Sequence, residues 1–144
     1  VIVNKKNTKK LMKDFPKLYP EYNPLFASRV RMPFVFDCQD GWFDLIYKLS
    51  QDIQRVIDNT PDSTLFKDFF VMQVKQKWGL LRYYVSYGTD EIFDLIHKAE
   101  GESGHICEIC GKPGTLTVKH GFLQTLCPYH RKKKGAKEVE PEEE

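Results

Sequence analysis

The sequence predicts an α+β fold: an amphipathic helix, an antiparallel β-hairpin, a second helix and a C-terminal treble-clef-like zinc module. Three observations lead there. Apolar residues recur at three- and four-residue steps over 40–59 and again over 89–103. Between them lie two short runs rich in β-branched and aromatic residues, joined through a glycine. Downstream, Cys107-x2-Cys110 and Cys127-x2-His130 stand at metal-ligand spacing.

Taken in order, residues 1–13 are lysine-rich and read as a mobile basic arm, and residues 14–104 as the α+β core. Pro16, Pro20, Pro24 and Pro33 forbid a long helix over 14–41. That segment is expected to lie across the core, pinned by Phe15, Leu18, Tyr19, Tyr22 and Phe26, with a short strand at 34–36. The first helix, "DGWFDLIYKLSQDIQRVIDN", takes Asp40 as its N-cap and buries Trp42, Leu45, Ile46, Leu49, Ile53, Val56 and Ile57. Strands follow at 69–75 and 80–87, with 76–79 as the turn. Strict alternation places Phe70, Met72 and Val74, with Leu81, Tyr83 and Val85, on the core side. Gln73, Lys75, Arg82 and Tyr84 then share the outer face. The second helix is capped by Thr89 or Asp90, ends at Gly101 or Gly104, and buries Ile92, Phe93, Ile96 and Ala99.

Residues 105–137 form the zinc module. A CxxC turn followed by Gly111 makes a knuckle, "TLTV" and "FLQTL" make a hairpin, and Pro128 after Cys127 marks a helix start. Cys107, Cys110, Cys127 and His130 fill a tetrahedral site, so the zinc is structural: it contributes to folding and leaves no open position for water. His105 is a weaker competitor for His130. Cys38 stands apart and reads as a small buried apolar residue. This use of cysteine favours a reducing compartment and a zinc site over a disulfide framework.

These residues leave little room for catalysis. "TVKH" ending at His120 has a faint likeness to the first histidine of an HNH-type nuclease. The acidic neighbour that such a site uses is replaced by Lys119, and His130 is already a zinc ligand, so only a degenerate nuclease would fit. No Gly-rich phosphate loop or nucleophile elbow is present, and no small-molecule substrate is implied. No apolar run approaches the roughly 18 residues of a membrane span. The opening "VIVNKKNTKK" places its apolar residues before its lysines, the wrong order for a secretory leader.

Charge is unevenly spread. The last seven residues, "EVEPEEE", hold five of the 20 acidic side chains, which leaves residues 1–137 at a formal +7, 22 basic against 15 acidic. Residues 138–144 read as an acidic disordered tail. The hairpin residues Lys75, Lys77, Trp78, Arg82 and Tyr84, with Arg131, Lys132, Lys133 and Lys134 after the zinc site, are the candidate partner-binding surface. The partner is a protein or a nucleic acid; basic and aromatic residues on a sheet suit the latter.

With "PFVFDCQDGWFDLI", "QVKQKWGLLRYYVS", "CEICGKPG" and "TLCPYHR" in one order, the chain resembles a family of small, largely uncharacterised proteins of bacteria and their phages. The resemblance covers about residues 33–131. It carries no established activity. It implies a phage or bacterial cytoplasmic origin and with it a role in host takeover or counter-defence. Together with the residues, the expected function is non-enzymatic binding to a host macromolecule, a protein in the first instance.

Overall fold

A computed structural model describes residues 3–21, 36–62 and 64–140 of the chain. Its architecture is α+β, with two small sheets and four α-helices among the described residues. The strongest helical period becomes α2 (Phe43–Asp58), entered through a 3-10 turn at Asp40–Trp42. Trp42, Ile46, Leu49, Ile53 and Ile57 are buried along one face. Each such side chain contributes about 1.5–3 kcal/mol relative to exposure.

Asp40 does not cap this helix. Its carboxylate instead accepts from the backbone N–H of Asn4 at 2.9 Å and from the side-chain amide of Asn7 at 3.1 Å. Those contacts belong to α1 (Lys5–Asp14), where the sequence suggests a mobile arm. Three features explain the difference. Asn4 caps the helix by accepting from Asn7 N–H at 2.8 Å. Val3 and Leu11 are buried, and Val3 N–H donates to Phe36 O at 3.1 Å. Asp14 accepts from Tyr47 Oη at 2.6 Å and from Lys10 Nζ at 3.0 Å. A few anchoring residues among the lysines are enough to dock the segment.

Phe15, Leu18 and Tyr19 are buried as expected, while Tyr22, Phe26, Pro24, Pro33 and Phe34 lie outside the described residues. The hydroxyls of Tyr83, Tyr19 and Ser50 form a chain at 2.7 and 2.8 Å that ends on Ile46 O. A chain of this kind satisfies polar atoms that would be costly to bury alone.

The first sheet has the order β1 (Phe36–Asp37), β2 (Val71–Lys77), β3 (Leu80–Val85), with β1 parallel and β3 antiparallel to β2. The strands are shorter at their outer ends than the pattern suggests, and β2 runs on through Gln76 and Lys77, so the turn is only Trp78–Gly79. Both turn residues have positive φ, 57° and 84°, the I′ pattern of a two-residue hairpin. A bulge between Val71 and Gln73 breaks the alternation. Val71 and Val74 are therefore both buried, and Met72, expected on the core side, is exposed. Helix α3 (Asp90–Ser103), capped by Thr89, covers the free edge of β3. Ser103 Oγ accepts from Leu81 N–H at 2.9 Å, and Glu100 accepts from Tyr83 N–H at 3.1 Å. Its buried stripe is Ile92, Ile96, Ala99 and Ser103; Phe93 is half-exposed and stacks on His97 instead.

The second sheet has the order β5 (Phe122–Leu126), β4 (Thr115–Lys119), β6 (Lys137–Glu138), and α4 (Pro128–Lys134) lies between β5 and β6 in the chain. Gly135, at φ 71°, ends α4 in a Schellman motif: Ala136 N–H donates to Arg131 O at 3.0 Å and Gly135 N–H to Lys132 O at 3.1 Å. The reversal brings Glu138 beside Thr117 and Val139 N–H to Leu116 O, so the start of the expected acidic tail is paired to an otherwise open strand edge. No helix among the described residues is long and apolar enough to cross a membrane.

Core and C-terminal module meet at the start of α2. Gly41 N–H donates to Glu108 O at 2.7 Å, and Trp42 Nε1 donates to Ile106 O at 2.8 Å. A Cβ on Gly41 would overlap the carbonyl oxygens of Cys107 and Glu108. Gly41→Ala is accordingly expected to destabilise the chain by about 3 kcal/mol, the upper end for overpacking, read as a lower urea midpoint. A loss below about 0.5 kcal/mol, the range of neutral surface changes, would contradict this packing.

Candidate metal centre

Each of the four donors is placed by its own local element. Cys107 opens the knuckle, where Gly111 adopts φ 81° and its N–H returns to Cys107 O at 2.9 Å. Cys107 N–H donates to Lys112 O at 2.7 Å, which closes the loop that carries Cys110. Cys127 is the N-cap of α4, with Pro128 at its first position, and its sulfur accepts from His130 N–H at 3.4 Å. One helical turn then brings the His130 ring back over the Cys127 sulfur.

The result is a cluster in which one donor atom each from Cys107, Cys110, Cys127 and His130 lies within 4.8 Å of the others, a group that could hold a metal ion. The Cys110–Cys127 Sγ separation is 3.7 Å, and His130 Nδ1 is 3.6 Å from Cys107 Sγ and 3.2 Å from Cys127 Sγ. Zinc–sulfur and zinc–nitrogen bonds at tetrahedral angles give edges of about 3.8 and 3.5 Å, so the donor set fits zinc in both chemistry and size. Cys107 and Cys127 are buried and Cys110 is exposed. Burial opposes ionisation of Cys127, but hydrogen bonds from the His130 amide and ring and from the neighbouring thiols outweigh it and bring its pKa down to about 6. A thiolate is thus already favoured where a metal ligand is needed. Cys110, though exposed as a residue, is shifted upward by partial desolvation of its sulfur and by the two other sulfurs.

His105 and His120 are outside this group. His105 is exposed. His120, at φ 49°, forms with Gly121 the two-residue turn of the β4–β5 hairpin. Cys38 is buried, and desolvation followed by nearby carboxylates pushes its thiol pKa strongly upward, as befits an inert core residue.

Beneath the knuckle lies a feature that sequence reading missed. Glu108 is buried, and its carboxylate accepts from Gln39 N–H and from Gln124 Nε2, each at 3.0 Å. Lys134 Nζ donates to Gln124 Oε1 at 3.1 Å, which extends the relay to α4. Burial raises the pKa of Glu108, and the Gln124 and Gln39 donors hold it back. Nothing in the pattern of a CxxC knuckle marks the residue after its first cysteine as a buried acid.

The partner-surface candidates divide. Lys75 and Arg82 are half-buried on the outer hairpin face, while Lys77, Trp78 and Tyr84 are exposed. Of the downstream basic residues, Arg131 is half-buried with Nη1 against Ala136 O, Lys133 lies over the Tyr129 ring, and Lys134 is held on Gln124. Lys132 is exposed. This stretch therefore largely braces the module's own end. Comparison with known proteins finds no matching family model, no similar curated protein and no similar solved structure. The resemblance to bacterial and phage proteins accordingly rests on the sequence motifs alone.

Glu108→Ala leaves Gln39 N–H and the Gln124 amide without their acceptor at a buried joint. A loss of about 1–3 kcal/mol in urea unfolding is expected, together with weaker metal retention in a chelator competition. Unchanged stability and unchanged retention would remove Glu108 from the joint.

Proposed function

We propose that the protein is a zinc-stabilised, non-enzymatic binding module. The observation that carries this reading is the convergence of four protein donors on one point. A site with four protein ligands has no vacant position for water or substrate, so its zinc holds structure and does not activate a nucleophile. His120 supports the same reading, because the residue that would open a nuclease site stands in an exposed turn outside the donor group. In this proposal the metal fixes the knuckle and the start of α4, and the knuckle is packed on the core. The surface presented to a macromolecular partner is then rigid, which lowers the ordering cost of binding. The sequence motifs add the setting: a bacterial or phage protein acting in the host cytoplasm on a host macromolecule, in takeover or counter-defence.

Purified protein is expected to hold one zinc per chain by elemental analysis. Cys110→Ser is the informative variant, because Cys110 is the exposed ligand and its loss disturbs packing least. It should abolish stoichiometric zinc and destabilise the module by about 3 kcal/mol or more, given the large contribution of structural zinc to folding. Acid should release the metal, because protons compete with the ion for its ligands and metal affinity falls with pH. Full stability in a strong chelator with reduced thiols, or no metal in the purified protein, would refute the zinc site.

A further inference from the structure

The outer face of the β2–β3 hairpin carries charges that folding alone works against. Lys75 and Arg82 are directly opposed in register, and Lys77 follows towards the tip. Like charges facing one another across two strands repel. Asp37 is the register partner of Lys75 on its other side, yet none of the ion pairs among the described residues involves Lys75, Lys77 or Arg82. The nearby carboxylate of Glu100 is engaged by Tyr83 N–H at the strand edge.

The aromatic residues of the same hairpin are just as unfavourable for folding. Tyr84, across from Gln73, is 42% exposed, and Trp78 at the tip is 64% exposed. Trp78 also adopts φ 57°. Bulky residues rarely occupy that region, and asparagine or glycine is the favoured choice in such a turn. Trp78 therefore takes on backbone strain without burying its ring. Beneath it the tip is firmly held, with Thr125 Oγ1 donating to Gly79 O at 2.8 Å and Gln76 Nε2 to Leu123 O at 3.1 Å. A strained, exposed tryptophan on a rigid support points to function.

We propose that this face binds single-stranded nucleic acid, an inference that rests on the reading of the protein as a rigid binding module. Lys75, Lys77 and Arg82 take successive phosphates, and Tyr84 and Trp78 stack on bases. The strand rise places Tyr84 and the tip about 15 Å apart, enough for a few nucleotides. Unpaired bases offer their faces to such rings, whereas a duplex keeps them stacked inside. An acidic protein would also satisfy the cations and pack against such rings; two rings spaced along a row of cations suit the repeating base-and-phosphate chemistry of a single strand better.

The test uses the full chain, assayed first for zinc, with a labelled twelve-residue oligothymidylate and oligouridylate, a duplex of equal length, and poly-L-glutamate. Binding to the single strands should exceed binding to the duplex by about tenfold or more. Three phosphate contacts imply a log–log salt slope of about −2. Fluorescence should be quenched, since Trp42 is buried and Trp78 is the exposed one of the two tryptophans. Lys75→Glu with Arg82→Glu should weaken binding by at least tenfold and flatten the slope. Trp78→Asn should raise the melting temperature by relieving the turn, yet weaken binding by about tenfold, consistent with a lost stacking contact. A merely structural tryptophan would not separate those two readouts. Zinc-loaded, folded protein that ignores the oligonucleotides at low salt would overturn the inference and leave the zinc module standing. So would charge-reversed or Trp78→Asn protein with undiminished affinity, or tighter binding to poly-L-glutamate, which would assign the face to an acidic protein. Chain that binds the oligonucleotide as described but contains no zinc would overturn the zinc reading and keep this one.

Discussion

The joint between Gly41 and the knuckle is the constraint on which the arrangement depends. Two backbone segments approach there too closely for any side chain. Gly41 N–H meets Glu108 O, and a Cβ on Gly111 would stand 3.1 Å from Gly41 O. Gly41 must be glycine because of this approach, whereas Gly111, at φ 81°, is required first by its left-handed backbone and only then by the closeness of Gly41 O. Around this contact, Trp42 donates to Ile106 O from the core side, and the Glu108 carboxylate gathers Gln39 and Gln124 from both sides. A buried carboxylate with donors drawn from separate segments resists sliding, because any shift leaves charge or amides unsatisfied.

A second contact, at the hairpin tip, makes this a two-point attachment. Gly79 bridges to Gln124, and a side chain there would collide with Leu116. Gln124 belongs to both attachments, since its side chain reaches Glu108 and Lys134 while its backbone neighbours the tip. The C-terminal module has only a small apolar cluster of its own: Cys107, Leu126, Cys127 and Ala136, with Ile109 against it. Two of those residues, Cys107 and Cys127, belong to the donor group that could hold a metal. A unit so poor in core depends on its docking, and an ion at the four donors would add the support that small metal-bound units use. The hairpin that carries Trp78 is held in place by the same unit, so an ion at the four donors would brace the proposed binding face as well.

Much of this was legible in the sequence, for reasons that particular residues show. Helix α2 has a long, regular apolar period and was readable residue by residue. The four donors were readable because thiolate and imidazole at CxxC and CxxH spacing have few other uses. Elsewhere tertiary partners decided. Asp40 reads as a cap until Asn4 and Asn7 compete for it. Helix α1 looks like a charged arm because its lysines outnumber Val3 and Leu11. The bulge that exposes Met72 leaves no local signature, and strict alternation misplaces that residue. Glu108 is the deepest omission: an acid in a knuckle looks solvated until Gln39, 69 residues away in sequence, donates to it.

In the proposed arrangement a metal-bound knuckle locks the module to the core at Gly41 and at the hairpin tip, while the core holds itself together. Amide hydrogen exchange on reduced protein, with and without chelator, tests it most directly. Removal of the metal is expected to expose amides over residues 105–140, together with Gly41 N–H and the tip near Gly79. Amides in the middle of α2, around Ile46 to Ile53, and those along β2 and β3 should keep their protection. Loss of protection spread evenly over α2 and both sheets, or no change around Gly41 once the metal is gone, would contradict the claim.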